Sequence, residues 1–123
     1  MTLKIEPIAL LQDNYAWLAT VDGARECAVV DPSEAGPVAE LLKERNLELK
    51  MILATHHHWD HVNGIEDLVA LGHDVEVYCS AYDFKKGRVP EATHPLEDNA
   101  VFELLGHHVQ CMLVPGHTLG ALA

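Results

Sequence analysis

Between Thr55 and His61 the chain reads Thr-His-His-His-Trp-Asp-His, and four of its nine histidines fall within this run. Imidazole is the commonest side-chain ligand for a borderline cation such as zinc. The run directly follows a short apolar stretch, Lys50 to Ala54, that reads as a strand. Side chains alternate along a strand, so His56 and His58 are expected on one side of its end and His57 on the other. Two imidazoles two positions apart can share one cation. Asp60 and His61 then add an oxygen and a nitrogen suited to a second cation nearby. A polar loop can carry two histidines without function, and purification tags also cluster them. Tags are terminal and uniform, however, whereas this run is internal and broken by Trp59 and Asp60.

A second segment, Pro115-Gly116-His117-Thr118, also follows an apolar strand-like stretch. Gly116 allows a tight turn, with His117 at its tip. His117 could supply the third ligand that His56 and His58 lack. Three histidines with an open fourth position make a catalytic zinc site, not a closed structural one.

The surrounding elements must hold these two segments together. Lys4 to Leu10 and Tyr15 to Val21 read as strands, and Asp22-Gly23 is a two-residue hairpin signal leading into a strand from Glu26 to Asp31. Val38, Leu41 and Leu42 share one face of a helix from Pro37 to Arg45, which Asn46 can end. After the histidine run, Ile65, Leu68 and Val69 mark a short helix stopped by Gly72. Val75 to Cys79 is another strand. The stretch from Ala81 to Asp98, which holds His94, reads as irregular and polar. Val101 to Leu105 and Val109 to Val114 read as a hairpin around Gly106, with His107 and His108 at the turn. The pattern predicts a mixed sheet with helices on one face, and no cover for the other face within this chain.

Composition narrows the function classes. The chain has 123 residues, 49% apolar and 22% charged, which suits one small soluble domain. Its 19 acidic and 8 basic residues give a formal net charge of −11. Neither nucleic acid nor an anionic membrane surface is expected as a partner, because both need a basic face. No apolar run approaches the ~20 residues of a membrane span, and the start lacks the features of a secretory signal. A cytoplasmic location is expected. Cys27, Cys79 and Cys111 lack metal-like or disulfide-like spacing and read as buried free thiols.

The run Thr55-His56-x-His58-x-Asp60-His61 resembles the signature of the metallo-β-lactamase superfamily. Extended to Gly64, it resembles the version found in glyoxalase II (hydroxyacylglutathione hydrolase). Asp13-Asn14-Tyr15, Val30-Asp31-Pro32, Thr93-His94 and Pro115 to Gly120 fall in the same order as in that family, so the resemblance covers essentially the whole chain. Asn63 stands where glycine is commoner, and asparagine also tolerates left-handed turns.

The resemblance implies an α+β fold, the metallo-β-lactamase-like αββα sandwich, with residues 1–123 as a single N-terminal half. It implies a divalent cofactor, zinc first and iron or manganese as alternatives, as one or two ions. His56, His58 and His117 would complete the first metal site, while Asp60 and His61 form part of a second. Asp60 is also the expected catalytic residue, orienting the nucleophile. The implied reaction is hydrolysis of an acylglutathione-like thioester, a small-molecule substrate, by hydroxide derived from metal-held water. Asp31 is the better candidate for a supporting role beside the ligands.

Family members continue beyond this length, and their continuation supplies a bridging carboxylate and a further histidine. Weak or absent turnover is therefore expected of this chain alone. Two other readings stay open: an inactive metal-binding half-domain, and a sulfur-dioxygenase-like iron protein. The uncovered sheet face predicts a homo-oligomer.

Overall fold

The computed structural model describes residues 2–10, 14–55, 64–72, 74–114 and 122–123. Two antiparallel strands open the chain, β1 (Leu3–Leu10) and β2 (Asn14–Val21), paired in unbroken register from Leu3 with Val21 to Leu10 with Asn14. The expected Asp22-Gly23 turn returns the chain, with Gly23 at φ 80 and Ala24 N–H donating to the Val21 carbonyl at 3.1 Å. Positive φ is the reason glycine suits that position. Strand β3 (Glu26–Val30) then pairs antiparallel with β2.

From here the sheet becomes parallel. Helix α1 (Ala35–Glu44) carries the chain to β4 (Glu48–Leu53), which lies parallel to β3. The helix begins two residues before the expected Pro37, which falls within its first turn, where no intrahelical bond is lost. Asn46 ends it as expected: it sits at φ 54, its N–H donates to the Lys43 carbonyl at 3.2 Å, and Leu47 N–H donates to the Leu42 carbonyl at 2.8 Å. Those paired bonds satisfy carbonyls that the helix end would otherwise leave orphaned. Helix α2 (Ile65–Leu71) precedes β5 (Glu76–Ser80), parallel to β4. Helix α3 (Ala81–Lys86) precedes β6 (His94–Leu96), parallel to β5. The six strands lie in sequence order across the sheet. No helix among the described residues is long and apolar enough to cross a membrane.

Alternation sorts the core into two layers. On the helix side, Leu18, Cys27, Val29, Ile52, Val77 and Cys79 pack against Val38 and Leu42 of α1 and Ile65 and Leu68 of α2. On the opposite side lie Ala19, Ala28, Met51, Leu53 and Tyr78. The two-stranded sheet of β7 (Val101–Leu104) and β8 (His107–Gln110) packs on this second face through Phe102, Leu104 and Val109.

Three expectations need correction. The second sheet face is not bare, because the β7–β8 hairpin covers its centre with one apolar side chain in two. What stays open is the β1–β2 end, where Ile5, Tyr15 and Trp17 are 50%, 55% and 42% exposed. The hairpin turn is also tighter than expected: Leu105 and Gly106 both adopt positive φ, so His107 and His108 lie within β8 and not at the turn. Finally, the polar stretch from Ala81 is not wholly irregular. Ser80 caps α3 by accepting from Asp83 N–H at 3.1 Å, and Gly87 stops the helix at φ 68.

Candidate metal centre

The parallel strands β3, β4 and β5 end at the same edge of the sheet, and the backbone ladder continues past them. Asp31 N–H donates to the Leu53 carbonyl at 2.9 Å, and Ala54 N–H donates to the Tyr78 carbonyl at 2.9 Å. Thr55, the next residue, opens the histidine run. The carboxyl edge of a parallel sheet is where open α/β folds bring loops together to bind ligands.

Asp31 fixes the start of the run. It lies just beyond β3, only 7% exposed, at φ 52. Aspartate tolerates this left-handed conformation better than most residues. The bend aims its carboxylate across to β4, where Oδ1 accepts from Thr55 N–H at 2.7 Å and Oδ2 accepts from the Thr55 hydroxyl at 2.5 Å. The expected supporting role thus has a definite form: a buried carboxylate grips the backbone and side chain one residue before His56.

The far end of the run is fixed by a close backbone approach. Gly64 N–H donates to the Pro32 carbonyl at 2.8 Å. A Cβ at Gly64 would stand 2.6 Å from that carbonyl oxygen and 2.8 Å from Ala35 N, both backbone atoms. Glycine is therefore required by space and not by φ, which is −88. The turn from Asp31 to Ala35 holds both ends of the segment that carries four histidines.

Residues on either side of the second segment pair with each other and with Thr55. Leu113 and Leu122 form an antiparallel bridge, and Met112 and Ala123 exchange backbone bonds at 2.9 and 2.8 Å. Leu122 N–H also donates to the Thr55 carbonyl at 2.7 Å. The chain thus leaves and re-enters the described structure beside the start of the histidine run, with Pro115, Gly116 and His117 between.

His56, His58, Asp60, His61 and His117 themselves lie outside the described residues, as do His57 and Trp59. Their donor chemistry, four imidazoles and one carboxylate, suits a divalent borderline cation. The described frame joins Thr55, one residue before His56, to Leu122, five residues after His117. Among the described residues no group of three or more histidine, cysteine or acidic side chains is gathered in the manner of a metal site.

The remaining candidates take structural places. His94 stacks on Tyr78 across β6 and β5, ring centroids 4.6 Å apart and nearly parallel, and its Nδ1 lies 2.7 Å from the Thr93 hydroxyl. Cys27, Cys79 and Cys111 are buried free thiols, as expected. Burial pushes the Cys27 thiol up to about 12, and burial, with the nearby Asp83 charge adding, does the same for Cys79. Neither thiol is a ready nucleophile or ligand. Asp83, fully buried at the start of α3 with Arg88 3.9 Å away, was not singled out by sequence. The Ser80-x-x-Asp83 spacing, which resembles a helix start signal, could have pointed to it.

With sheet order and helix placement in view, the chain belongs to the metallo-beta-lactamase superfamily, whose pattern matches residues 12–122. Among its relatives are proteins named hydroxyacylglutathione hydrolase. That of Vibrio cholerae is 42% identical over 118 residues, and that of Prochlorococcus marinus (strain MIT 9211) is 38% identical over 119. These alignments cover 96% and 97% of this chain but 45% and 46% of the relatives, so the chain spans a little under half their length. Among solved structures, the BLEG-1 B3 metallo-beta-lactamase aligns with TM-score 0.81 at 21% identity, over 97% of this chain and 65% of its own. ETHE1 from Myxococcus xanthus aligns with TM-score 0.73 at 19% identity, over 99% and 52%. These likenesses establish the fold: a mixed sheet with helices, corresponding to part of the larger sandwich.

Proposed function

We propose that this chain carries the metal-binding half of a hydrolase of the glyoxalase II type, acting on acylglutathione-like thioesters. The observation that carries the proposal is the bond from Leu122 N–H to the Thr55 carbonyl, which joins the residue before His56 to a residue five positions after His117. The names of the relatives supply the substrate class. His56, His58 and His117 would hold one divalent cation, zinc by preference with iron or manganese as alternatives. Asp60 and His61 would contribute to a second.

A bound cation supplies Lewis acidity, which makes water a usable nucleophile near neutral pH and stabilises charge on the carbonyl oxygen. The protein's own groups would orient the reactants, with Asp60 as the residue that would orient the attacking water. In the net reaction water adds to the acyl carbon, the carbon–sulfur bond breaks, and a carboxylic acid and a thiol leave. The thiolate needs little protonation to depart, because thiols ionise at ~8.5. Asp31 holds Thr55, and so keeps the first ligands in register without touching substrate.

In a second reading the chain binds metal without turnover. Metal content per chain, measured together with hydrolysis of hydroxyacyl- and acylglutathione thioesters, tests both. Metal bound with turnover that His58→Ala abolishes supports the hydrolase. Stoichiometric metal without turnover selects the binding half-domain, and a chain that takes up no zinc, iron or manganese would refute both.

A further inference from the structure

A groove of about 430 Å³ lies on the helix side of the sheet, at the edge opposite the start of the histidine run. Its apolar walls are Leu42 and Leu47 at the end of α1, Leu49 of β4, and Leu68 and Leu71 of α2. Leu42, Leu49 and Leu68 are buried, whereas Leu71 is 69% exposed. Arg25, just before β3, and Lys43, in the last turn of α1, add two cations to the lining. Glu48 also lines the groove, and Lys50 holds its carboxylate at 3.1 Å. The neighbouring Arg45 is committed to Glu6 by bonds of 3.0 and 3.1 Å. Arg25 and Lys43, by contrast, make no ion pair among the described residues. The Arg25 guanidinium donates to the Asn46 side-chain oxygen at 3.1 Å, a neutral acceptor that steadies it without cancelling its charge.

We propose that this groove binds a monocarboxylate with a flexible apolar tail, the tail lying on the leucines and the carboxylate between Arg25 and Lys43. Small-ligand sites run to roughly 300–1,000 Å³, mostly apolar with a few placed polar groups, and the groove fits that description. At ~30 Å³ per water-sized group it has room for about a dozen heavy atoms, which suits a tail of roughly eight carbons. A guanidinium and an ammonium can both donate charge-assisted bonds to one carboxylate. Both helices end at the groove, and the negative ends of their dipoles would resist an anion. Lys43 offsets that at α1, where Leu47 N–H also covers the Leu42 carbonyl at 2.8 Å. The site does not rest on the hydrolase reading. Arg25 and Glu48 stand at the amino ends of β3 and β4, and the histidine run follows the carboxyl end of β4, about 20 Å away at ~3.3 Å per residue.

Octanoate, butanoate and octanol, titrated into the chain with and without zinc and followed by backbone amide shifts, test the proposal. Octanoate should bind saturably and shift Leu42, Leu47, Leu68 and Leu71 whether or not zinc is present. Each buried methylene gains about fourfold, so octanoate should bind at least about tenfold tighter than butanoate even with its tail half covered. Two exposed cations together should favour octanoate over octanol by about three- to tenfold. Arg25→Gln combined with Lys43→Gln should erase that preference and leave octanol affinity unchanged. Both residues are exposed, so the core is untouched. Leu71→Asp, at another exposed position, should weaken octanoate and octanol alike. Should any variant fail to fold, the three ligands on the unaltered protein still decide. Affinity independent of chain length, equal affinity for octanoate and octanol, or a double variant that keeps the preference would overturn the proposal. So would octanoate shifts that appear only when zinc is present, which would place the carboxylate on the metal and not in the groove.

Discussion

Replacing Asp31 tests whether the frame of the metal centre is built as described. In Asp31→Ala the Thr55 N–H and hydroxyl both lose a charged acceptor, at 2.7 and 2.5 Å. Hydrogen bonds to charged groups contribute about 1.5–3 kcal/mol each, and part of the second is recovered when the hydroxyl turns to water. Alanine must also adopt φ 52, which adds about 1 kcal/mol over a residue at home in the left-handed region. The sum is about 4 kcal/mol, a large share of the 5–15 kcal/mol that holds a domain folded. Asp31→Asn keeps an acceptor for Thr55 N–H and tolerates the backbone, so it should cost about 1–2 kcal/mol. Thr55→Val, which removes only the hydroxyl bond, should cost a similar amount. Asp31→Asn and Thr55→Val should combine to less than their sum, because they break the same contact. Urea unfolding followed by circular dichroism and tryptophan fluorescence gives each value. An Asp31→Ala loss below about 1 kcal/mol, or equal losses for alanine and asparagine, would refute the account.

Gly64→Ala should destabilise by about 1–3 kcal/mol and lower zinc uptake, because its methyl would press on the backbone of Pro32 and Ala35. A fully stable variant with unchanged zinc content would show that the turn can yield. Cys27 and Cys79 should resist iodoacetamide at pH 8 in the folded chain and react once it is unfolded in urea, as mass spectrometry can localise. Their folded values near 12 stand above the ordinary 9.0, so the unfolded chain gives up these protons first. Stability should therefore hold below about pH 9 and decline from there towards pH 12; rapid alkylation of the native protein would contradict the burial. If a second copy covers Ile5, Tyr15 and Trp17, sedimentation velocity should give a dimer that Trp17→Lys converts to a monomer. A well-folded monomer of the unaltered chain would defeat that expectation.

The legible parts of the fold were those where local chemistry and tertiary demand agree. Gly23 and Asn46 mark a turn and a stop because each suits a left-handed backbone that side chains with a branched Cβ resist, and Gly72 marks a stop where a Cβ would press on the Val75 side chain. Val38 and Leu42 announced the buried face of α1 by spacing alone. The histidine run stood out because imidazole clusters are chemically unusual, and Asp31 was expected to support it because it ends a strand nearby. What it grips was not, since a bond to Thr55 depends on how β3 and β4 pair. Strand β6 escaped notice because three residues, one of them Pro95, carry no periodicity, and the strand exists by its parallel pairing with β5, where His94 stacks on Tyr78. The covering role of β7–β8 was equally hidden. Phe102, Leu104 and Val109 show alternation, but nothing local says that their partner is the sheet's second face.

The bond between Leu122 and Thr55 also imposes an order of events on the newborn chain. The histidine-rich segment leaves the ribosome first, and at about 5–20 residues per second several seconds pass before residue 117 is made. During that interval any cation it captures is held by an incomplete set of donors. Closing so long a loop costs entropy that only the finished sheet and its last bridge repay. On the proposed ligand set, complete metal loading would follow formation of the bridge between Leu113 and Leu122. Ribosome-stalled chains ending short of residue 122 should exchange their zinc with a chelator far faster than the released protein.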